Sequence, residues 1–141
     1  MNYELKMRKT DYSRKSVAQL LNIAREHFNR FIRERDKDKP CINCGRYKTD
    51  LQAGHFYSVG AYPGMRFDED NCCGECKQCN FFHSETHSHY YRENLKKRIG
   101  TERFEKLCIR AEWQKHGHHK WDRFTVIQII EKYKGLNKTK S

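Results

Sequence analysis

The chain has 141 residues, 36% of them hydrophobic, and a mean hydropathy of −1.08. It carries 29 Lys and Arg against 18 Asp and Glu, which gives a net charge of +11. No run of about 18 apolar residues is present, and the N-terminal MNYELKMRKTDY contains no apolar segment. These features predict a cytoplasmic protein that neither spans a membrane nor is secreted. The basic excess favours a nucleic-acid partner over a merely solvated surface, and the small apolar content predicts a second stabilising device such as a metal.

The first predicted element is an amphipathic helix from residue 16 to about residue 35. Ser16 and Gln19 fit a capping box at its start, and Pro40 in DKDKP cannot continue it. Its apolar positions follow the helical repeat: Val17, Leu20, Leu21, Ala24, Phe28, Phe31 and Ile32. The opposite face, with Arg25, Asn29, Arg30 and Arg33, is typical of either a solvated surface or a DNA-backbone contact.

Two C-x-x-C pairs come next, separated by a long insertion. The ligands are Cys41 and Cys44 in CINCG, and Cys76 and Cys79 in CKQC. Four thiolates in two such pairs predict a closed, tetrahedral, structural zinc site. Redox chemistry is the alternative, but no thioredoxin-like βαβ pattern surrounds either pair. Gly45 supplies the positive φ that a tight metal loop needs.

The insertion between the pairs is predicted to form an irregular hairpin. Residues 49–67 alternate short extended pieces with Gly and Pro. We place its strands at about residues 52–57 and near Arg66.

Three helices are predicted after the second cysteine pair. The first covers about residues 87–98 and is stopped by Gly100, the second is capped by Thr101, and the third is closed by Gly135 before a frayed tail. Their inward positions are Tyr91, Leu95, Ile99, Phe104, Leu107, Cys108, Ala111, Phe124, Ile127, Ile129, Ile130 and Tyr133.

Several Cys and His residues fall outside these patterns. The remaining cysteines are predicted to be buried small side chains: Cys72, Cys73 and Cys108. The histidine cluster lies in a basic segment, which favours a basic turn over a metal tract: His116, His118 and His119.

One histidine and two asparagines are arranged around the cysteine pairs in an order that suits hydrolysis. His55 in AGHFYS can remove a proton from water. Asn71 precedes the second pair and can orient a neighbouring backbone or imidazole. Asn80, directly after Cys79, can offer its amide oxygen to a divalent cation.

The order CxxC, GH, N-x4-CxxCN resembles the HNH, or ββα-metal, nuclease motif in its zinc-stabilised form. More closely, FIRERDKDKPCINCG, AGHFYSVGAYPGMRFDEDN and YRENLKKRIG resemble the NinG/Rap family of lambdoid phage recombination endonucleases. The resemblance implies an α+β fold, with an HNH core and a structural four-cysteine zinc site flanked by N- and C-terminal helices. It implies one domain over residues 1–141, with these parts: N-terminal helix 1–36, zinc and ββα-metal core 41–83, C-terminal helices 84–134, and flexible tail 135–141.

The resemblance also implies an activity, namely structure-specific cutting of branched DNA such as Holliday junctions and D-loops in phage recombination. Such an enzyme would act in the host cytoplasm and use Mg²⁺ or Mn²⁺ to hydrolyse the phosphodiester. His55 matches the general base, Asn71 the central asparagine, and Asn80 the helical metal ligand. Arg66 and Arg92 are expected to contact DNA, although a structural or solvated role fits Arg66 equally. A homodimer is expected by analogy with other junction-cutting enzymes.

Two points stay open in the sequence. Many HNH sites have Asp before the base histidine, where this chain has Gly54, so another oxygen or nitrogen ligand is required. The candidates are His83, which can equally contact phosphate, His87, and an acid among Asp68, Glu69 and Asp70. The alternative function is a non-catalytic zinc-ribbon protein that binds nucleic acid, and the apolar stripe of the first helix is either core or dimer interface.

Overall fold

The fold is mixed α+β and mostly helical, with one small sheet. The computed structural model describes residues 10–81, 85–115 and 119–139, and for residues 85–88 the backbone alone. In the described parts the helices and strands are α1 Val17–Asp36, β1 Gln52–His55, β2 Cys72–Glu75, α2 Lys77–Phe81, α3 Glu85–Ile99, α4 Thr101–Lys115 and α5 Arg123–Lys138. Two short 3-10 turns, Pro63–Met65 and Glu69–Asn71, lie between the strands.

Helix α1 begins at the predicted capping box. The Ser16 hydroxyl accepts from the Gln19 N–H at 3.1 Å, and the Ser16 N–H donates to the Gln19 carboxamide at 2.8 Å. The apolar stripe of α1 is buried against α5 and the sheet. This stripe is therefore core, and the interpretation of it as a dimer interface is wrong.

The sheet is an antiparallel pair in which Gln52 lies opposite Glu75 and His55 opposite Cys72. The prediction of a second strand near Arg66 is wrong. Arg66 directly follows the 3-10 turn Pro63–Met65, because Pro63 has a fixed φ and no N–H to give to a ladder. The second strand is instead formed by CCGE, just before the second cysteine pair.

The two faces of the sheet pack on different parts of the core. Cys72 packs with Phe28 of α1 and Tyr133 of α5, whereas Cys73 packs with Tyr91 and other side chains of α3 and α4. Both cysteines are buried and lie outside the four-cysteine group, as predicted.

The helices after the sheet follow the predicted order with changed ends. Gly100 has φ +87° and ends α3, which confirms the predicted stop. Thr101 is the first residue of α4 rather than its cap. Cys108 is half-buried.

Helix α5 continues through Gly135, so its predicted closure there, and a flexible tail from 135 onward, are wrong up to residue 138. Contacts beyond Gly135 hold this last turn: Leu136 packs against the core cluster that includes Phe28, and the Asn137 amide donates to the His27 carbonyl at 2.9 Å. Phe124, predicted to face inward, is 70% exposed.

A buried carboxylate joins the end of α1 to the sheet. Asp36 accepts from the Gly74 N–H at 2.8 Å and pairs with Arg35 at 2.8 Å. Arg35 in turn donates to the Glu69 and Cys72 carbonyls. This network fixes β2, and with it the second cysteine pair, relative to α1.

None of the helices in the described ranges combines the length and apolar character needed to cross a bilayer.

Candidate functional site

The four paired cysteines converge at one end of the sheet. Their sulfur atoms all lie within 4.8 Å of one another, and the Cys44 and Cys76 sulfurs are 3.8 Å apart. Tetrahedral zinc with Zn–S bonds of about 2.3 Å separates its sulfur ligands by about 3.8 Å. The donor set and spacing therefore fit a structural zinc ion held by Cys41, Cys44, Cys76 and Cys79.

Local backbone geometry presents these sulfurs. Gly45 adopts φ +71°, so the loop turns back and the Gly45 N–H donates to the Cys41 carbonyl at 3.0 Å. The Cys76 N–H points at the Cys41 sulfur at 3.2 Å. Helix α2 starts at this second pair, which places Asn80 one turn after Cys76.

His55 ends β1 with its two ring nitrogens in different surroundings. Its Nε2 lies 2.8 Å from the Arg66 carbonyl oxygen. Because a carbonyl only accepts, Nε2 carries the hydrogen and Nδ1 holds the free lone pair. Burial lowers the pKa of His55 below 6.5, an effect that the bond to the carbonyl opposes and the charge of Arg66 reinforces. His55 is thus a neutral base at neutral pH.

Asn71 is fully buried and lies behind His55. Its Oδ1 accepts from the Tyr57 N–H at 2.8 Å, and its Nδ2 donates to the Tyr57 and Met65 carbonyls at 3.0 and 3.1 Å. The side chain ties the segment after His55 to the turn before Arg66. It does not line the cleft described below, so its geometry suits orientation of the backbone on both sides of His55.

Asn80 is oriented by a residue that the sequence did not single out. Its Nδ2 donates to the Gln52 Oε1 at 2.8 Å, which leaves Oδ1 available as an oxygen ligand. Gln52 gives no sequence signal for this role because the contact depends on β1 lying next to α2.

A cleft of about 630 Å³ opens beside these groups. His55, Asn80 and Arg66 line it, together with Arg25 and Asn29 from α1. The charged face of α1 therefore borders the predicted site. Among the described residues that line the cleft, none is acidic.

The acids proposed to replace the missing Asp face elsewhere. Asp68 pairs with Arg110 at 2.7 Å, Asp70 pairs with Arg103, and Glu69 accepts from the Tyr133 hydroxyl at 3.0 Å. These carboxylates connect the loop before β2 to α4 and α5.

The space beside Gly54 is filled by a different acid. A Cβ at position 54 would collide with the carboxylate of Glu75, which is buried and accepts from the Asn43 amide. Burial, followed by the neighbouring Cys41, raises the pKa of Glu75 to about 8. Glu75 thus takes the room that an Asp side chain at position 54 would need.

The remaining residues that the sequence suggested as DNA or metal contacts lie away from the cleft or outside the described residues. Arg92 is exposed on α3, with its guanidinium 5.2 Å from the centre of the Phe104 ring. His119 packs against the Trp121 ring at 4.5 Å. His83, His116 and His118, and the side chain of His87, lie outside the described residues.

The sequence is similar to bacteriophage proteins. The profile of a family described as "Bacteriophage Lambda NinG protein" matches residues 2–141. A protein named "Protein ninG" from Escherichia phage 933W is 35% identical over 131 residues, 92% of this chain and 61% of that protein. Proteins of the same name from Escherichia phage lambda and Salmonella phage P22 are 35% identical over 119 residues, 84% of this chain and 54% and 55% of theirs.

This chain therefore spans between about half and three fifths of the length of these curated relatives. No solved structure matches it.

Proposed function

This chain belongs to the NinG family of bacteriophage proteins, and from that premise and the geometry of its cleft we propose that it is a metal-dependent endonuclease that cuts branched DNA. The observation that carries the proposal is His55, whose Nε2 is held by the Arg66 carbonyl and whose side chain lines a cleft together with Asn80 and Arg66. In this proposal β1, β2 and α2 form the ββα-metal core.

His55 acts as the general base. Because Nε2 is committed to the Arg66 carbonyl, Nδ1 takes the proton from the attacking water. Burial keeps the ring neutral, so it is ready to accept that proton at neutral pH. Asn71 fixes the backbone around Tyr57 and Met65, which holds His55 and the carbonyl of Arg66 in register.

Asn80 is the proposed protein ligand of Mg²⁺ or Mn²⁺. Its Oδ1 is an oxygen donor of the type these ions prefer, and Mg²⁺ commonly completes its shell with water and substrate phosphate. When bound, the ion supplies charge that polarises the scissile phosphate. The bond from Asn80 to Gln52 orients the amide oxygen for this contact.

Arg66 is proposed to contact the DNA backbone. Its guanidinium lines the cleft, and none of the described acids is paired with it. Together with the net charge of +11, this favours binding to the DNA backbone, which is read by charge and shape rather than by base edges.

The second candidate is a zinc-ribbon protein that binds nucleic acid without cutting it. Two observations favour it: Asn71 has its amide hydrogen bonds directed at backbone, and no acid is present among the described lining residues of the cleft. The cysteine cluster is compatible with either function.

A nicking assay separates the two candidates. A labelled four-way junction and a linear duplex of the same sequence are incubated with the protein and Mg²⁺ or Mn²⁺, with and without EDTA. We expect cleavage of the junction that EDTA and His55→Ala abolish. His89→Ala, which changes an exposed histidine on α3, serves as the matched control and should cut like the unmodified protein. Binding of both DNAs without cleavage under either metal would support the ribbon protein and refute the nuclease.

A further inference from the structure

Helix α1 supplies one wall of the cleft beside His55. Arg25 and Asn29 are four residues apart and so share one face of the helix, and both line the cleft with Arg66. Three side chains capable of binding an anion therefore converge from two separate segments of the chain.

No carboxylate of the described residues neutralises the positive charges in this wall. Several other arginines do have such a partner: Arg35 and Arg98 pair with Asp36, Arg103 with Asp70, and Arg110 with Asp68. Within the described residues neither Arg25 nor Arg66 has a carboxylate within ion-pair distance. Burial and then the charge of Arg25 lower the pKa of Arg66, so each of these cations raises the electrostatic cost of the other.

Two polar atoms in the wall also lack a partner. The Nε of Arg66 and the Oδ1 of Asn29 are buried without a hydrogen bond in the described structure. A buried donor without a partner destabilises the fold. The Asn29 amide can rotate to present its NH₂ group instead, so both residues can act as donors to an acceptor in the cleft.

We propose that Arg25, Asn29 and Arg66 form a subsite for a second backbone phosphate of the DNA strand, adjacent to the phosphate attacked with His55 as base. This inference rests on the proposed function, because it takes DNA as the occupant of the cleft. A phosphate has the charge to relieve the repulsion between the two guanidinium groups and the oxygens to accept from all three side chains. The subsite thus fixes where along the strand the cut falls.

The first test is a comparison of charge-matched variants. Arg25→Gln and Arg14→Gln each remove one positive charge, but Arg14 is exposed and lies outside the cleft lining. With Ca²⁺ in place of Mg²⁺, we expect Arg25→Gln to weaken binding of a branched DNA at least about tenfold more than Arg14→Gln does. Equal losses in the two variants would overturn the subsite, whether or not the unmodified protein cuts DNA.

A second variant distinguishes a lost DNA contact from a loss of stability. Asn29→Asp places a carboxylate in the same cleft wall as the two arginines, so we expect its Tm to rise while its DNA affinity falls at least about tenfold. A structural role of Asn29 alone would move stability and affinity in the same direction, and that result would contradict the subsite.

The third test locates the phosphate on the strand. Methylphosphonate, which removes the charge of a single phosphate, is placed at each position flanking the cleavage site. One position should slow the unmodified protein about tenfold and have no further effect on Arg25→Gln. If every position slows both proteins equally, the subsite is wrong. If the protein binds DNA but never cuts it, only the nuclease proposal fails. The comparison of DNA binding by Arg25→Gln and Arg14→Gln would still test the subsite.

Discussion

The two ring nitrogens of His55 have different roles in the proposed mechanism: Nε2 positions the ring, and Nδ1 accepts the proton. The Arg66 carbonyl holds Nε2 at 2.8 Å, and burial lowers the pKa of the ring. The first property follows from the turn Pro63–Met65, which brings the carbonyl of Arg66 to the end of β1, and the second from the packing around the ring, which includes Phe28 of α1.

The lowered pKa of His55 predicts an acid-resistant pH profile. Neutral imidazole is the active form, so activity is present above the folded pKa and is lost as the pH falls through it. Because that pKa lies below 6.5, kcat/KM for junction cleavage should be above half of its maximum at about pH 6.5 and fall through its midpoint only at lower pH. If the acid side of the kcat/KM profile has its midpoint at or above pH 6.5, His55 is not the base.

The contact between Gln52 and Asn80 predicts that substitution of Gln52 changes the metal concentration needed for cleavage rather than the stability of the protein. Gln52→Leu removes the acceptor that orients the Asn80 amide, so half-maximal cleavage should need several-fold more Mn²⁺, with a similar Tm. A double-mutant cycle gives the control, read as Mn²⁺ binding because Asn80→Ala loses cleavage: Gln52→Leu should have little further effect on Mn²⁺ affinity once Asn80 is replaced by Ala. Independent, additive losses would show that Gln52 does not act through Asn80.

Asn71 and Asn80, which have the same side chain, should behave differently on substitution. Asn71→Ala leaves the Tyr57 N–H and two carbonyls without partners in the interior, and each unsatisfied group costs about 1–3 kcal/mol. We expect a clear fall in Tm for Asn71→Ala and almost none for Asn80→Ala, although both lose cleavage. Equal thermal melts would mean that one of the two residues is misassigned.

Helix α1 is anchored at its C-terminal end through Asp36. The buried carboxylate meets Gly74 of β2 as well as Arg35 and Arg98, so Asp36→Ala should destabilise the fold by about 3–5 kcal/mol. Glu102→Ala removes one partner of the exposed pair with Lys106 and should cost about 0.5 kcal/mol or less. Chemical denaturation of the two variants measures the difference, and similar losses would refute the role given to Asp36.

Sequence patterns identified the helices better than the sheet. The apolar repeat and the capping box located α1, because amphipathic periodicity and caps are local properties. Strand β2 was missed because CCGE has none of the alternation expected of a strand, and its pairing depends on distant packing against α1 and α3. The run through Gly135 was missed for a similar reason, since contacts with α1 hold the last turn of α5.

The candidate site was predictable in part. Spacing alone identified the four cysteines, since C-x-x-C pairs carry their geometry in the local chain. The position of the DED carboxylates was not predictable, because their partners on α4 and α5 lie at least 33 residues away. The approach of Arg25 and Asn29 to His55 was also hidden, since it depends on how α1 packs across the sheet.

The cysteine cluster connects two separate segments of the chain. Cys41 and Cys44 follow α1, whereas Cys76 and Cys79 lead into α2. A zinc ion there contributes directly to folding. Cys41→Ser should therefore lower the zinc content from about one per chain and reduce Tm sharply. Cys108→Ser, which alters a half-buried cysteine outside the cluster, should keep its zinc. Full zinc retention and an unchanged melt in Cys41→Ser would contradict a structural zinc site.

The proposal that this molecule is a nuclease depends most on His55 acting as the base. The most direct test is the single-turnover rate of junction cleavage by His55→Ala, measured at saturating protein so that DNA binding does not limit it. Removal of a general base lowers rates by about 10²–10⁴-fold, so we expect a loss of at least a hundredfold with DNA affinity unchanged. Cleavage by His55→Ala at the rate of the unmodified protein would show that His55 is not the base.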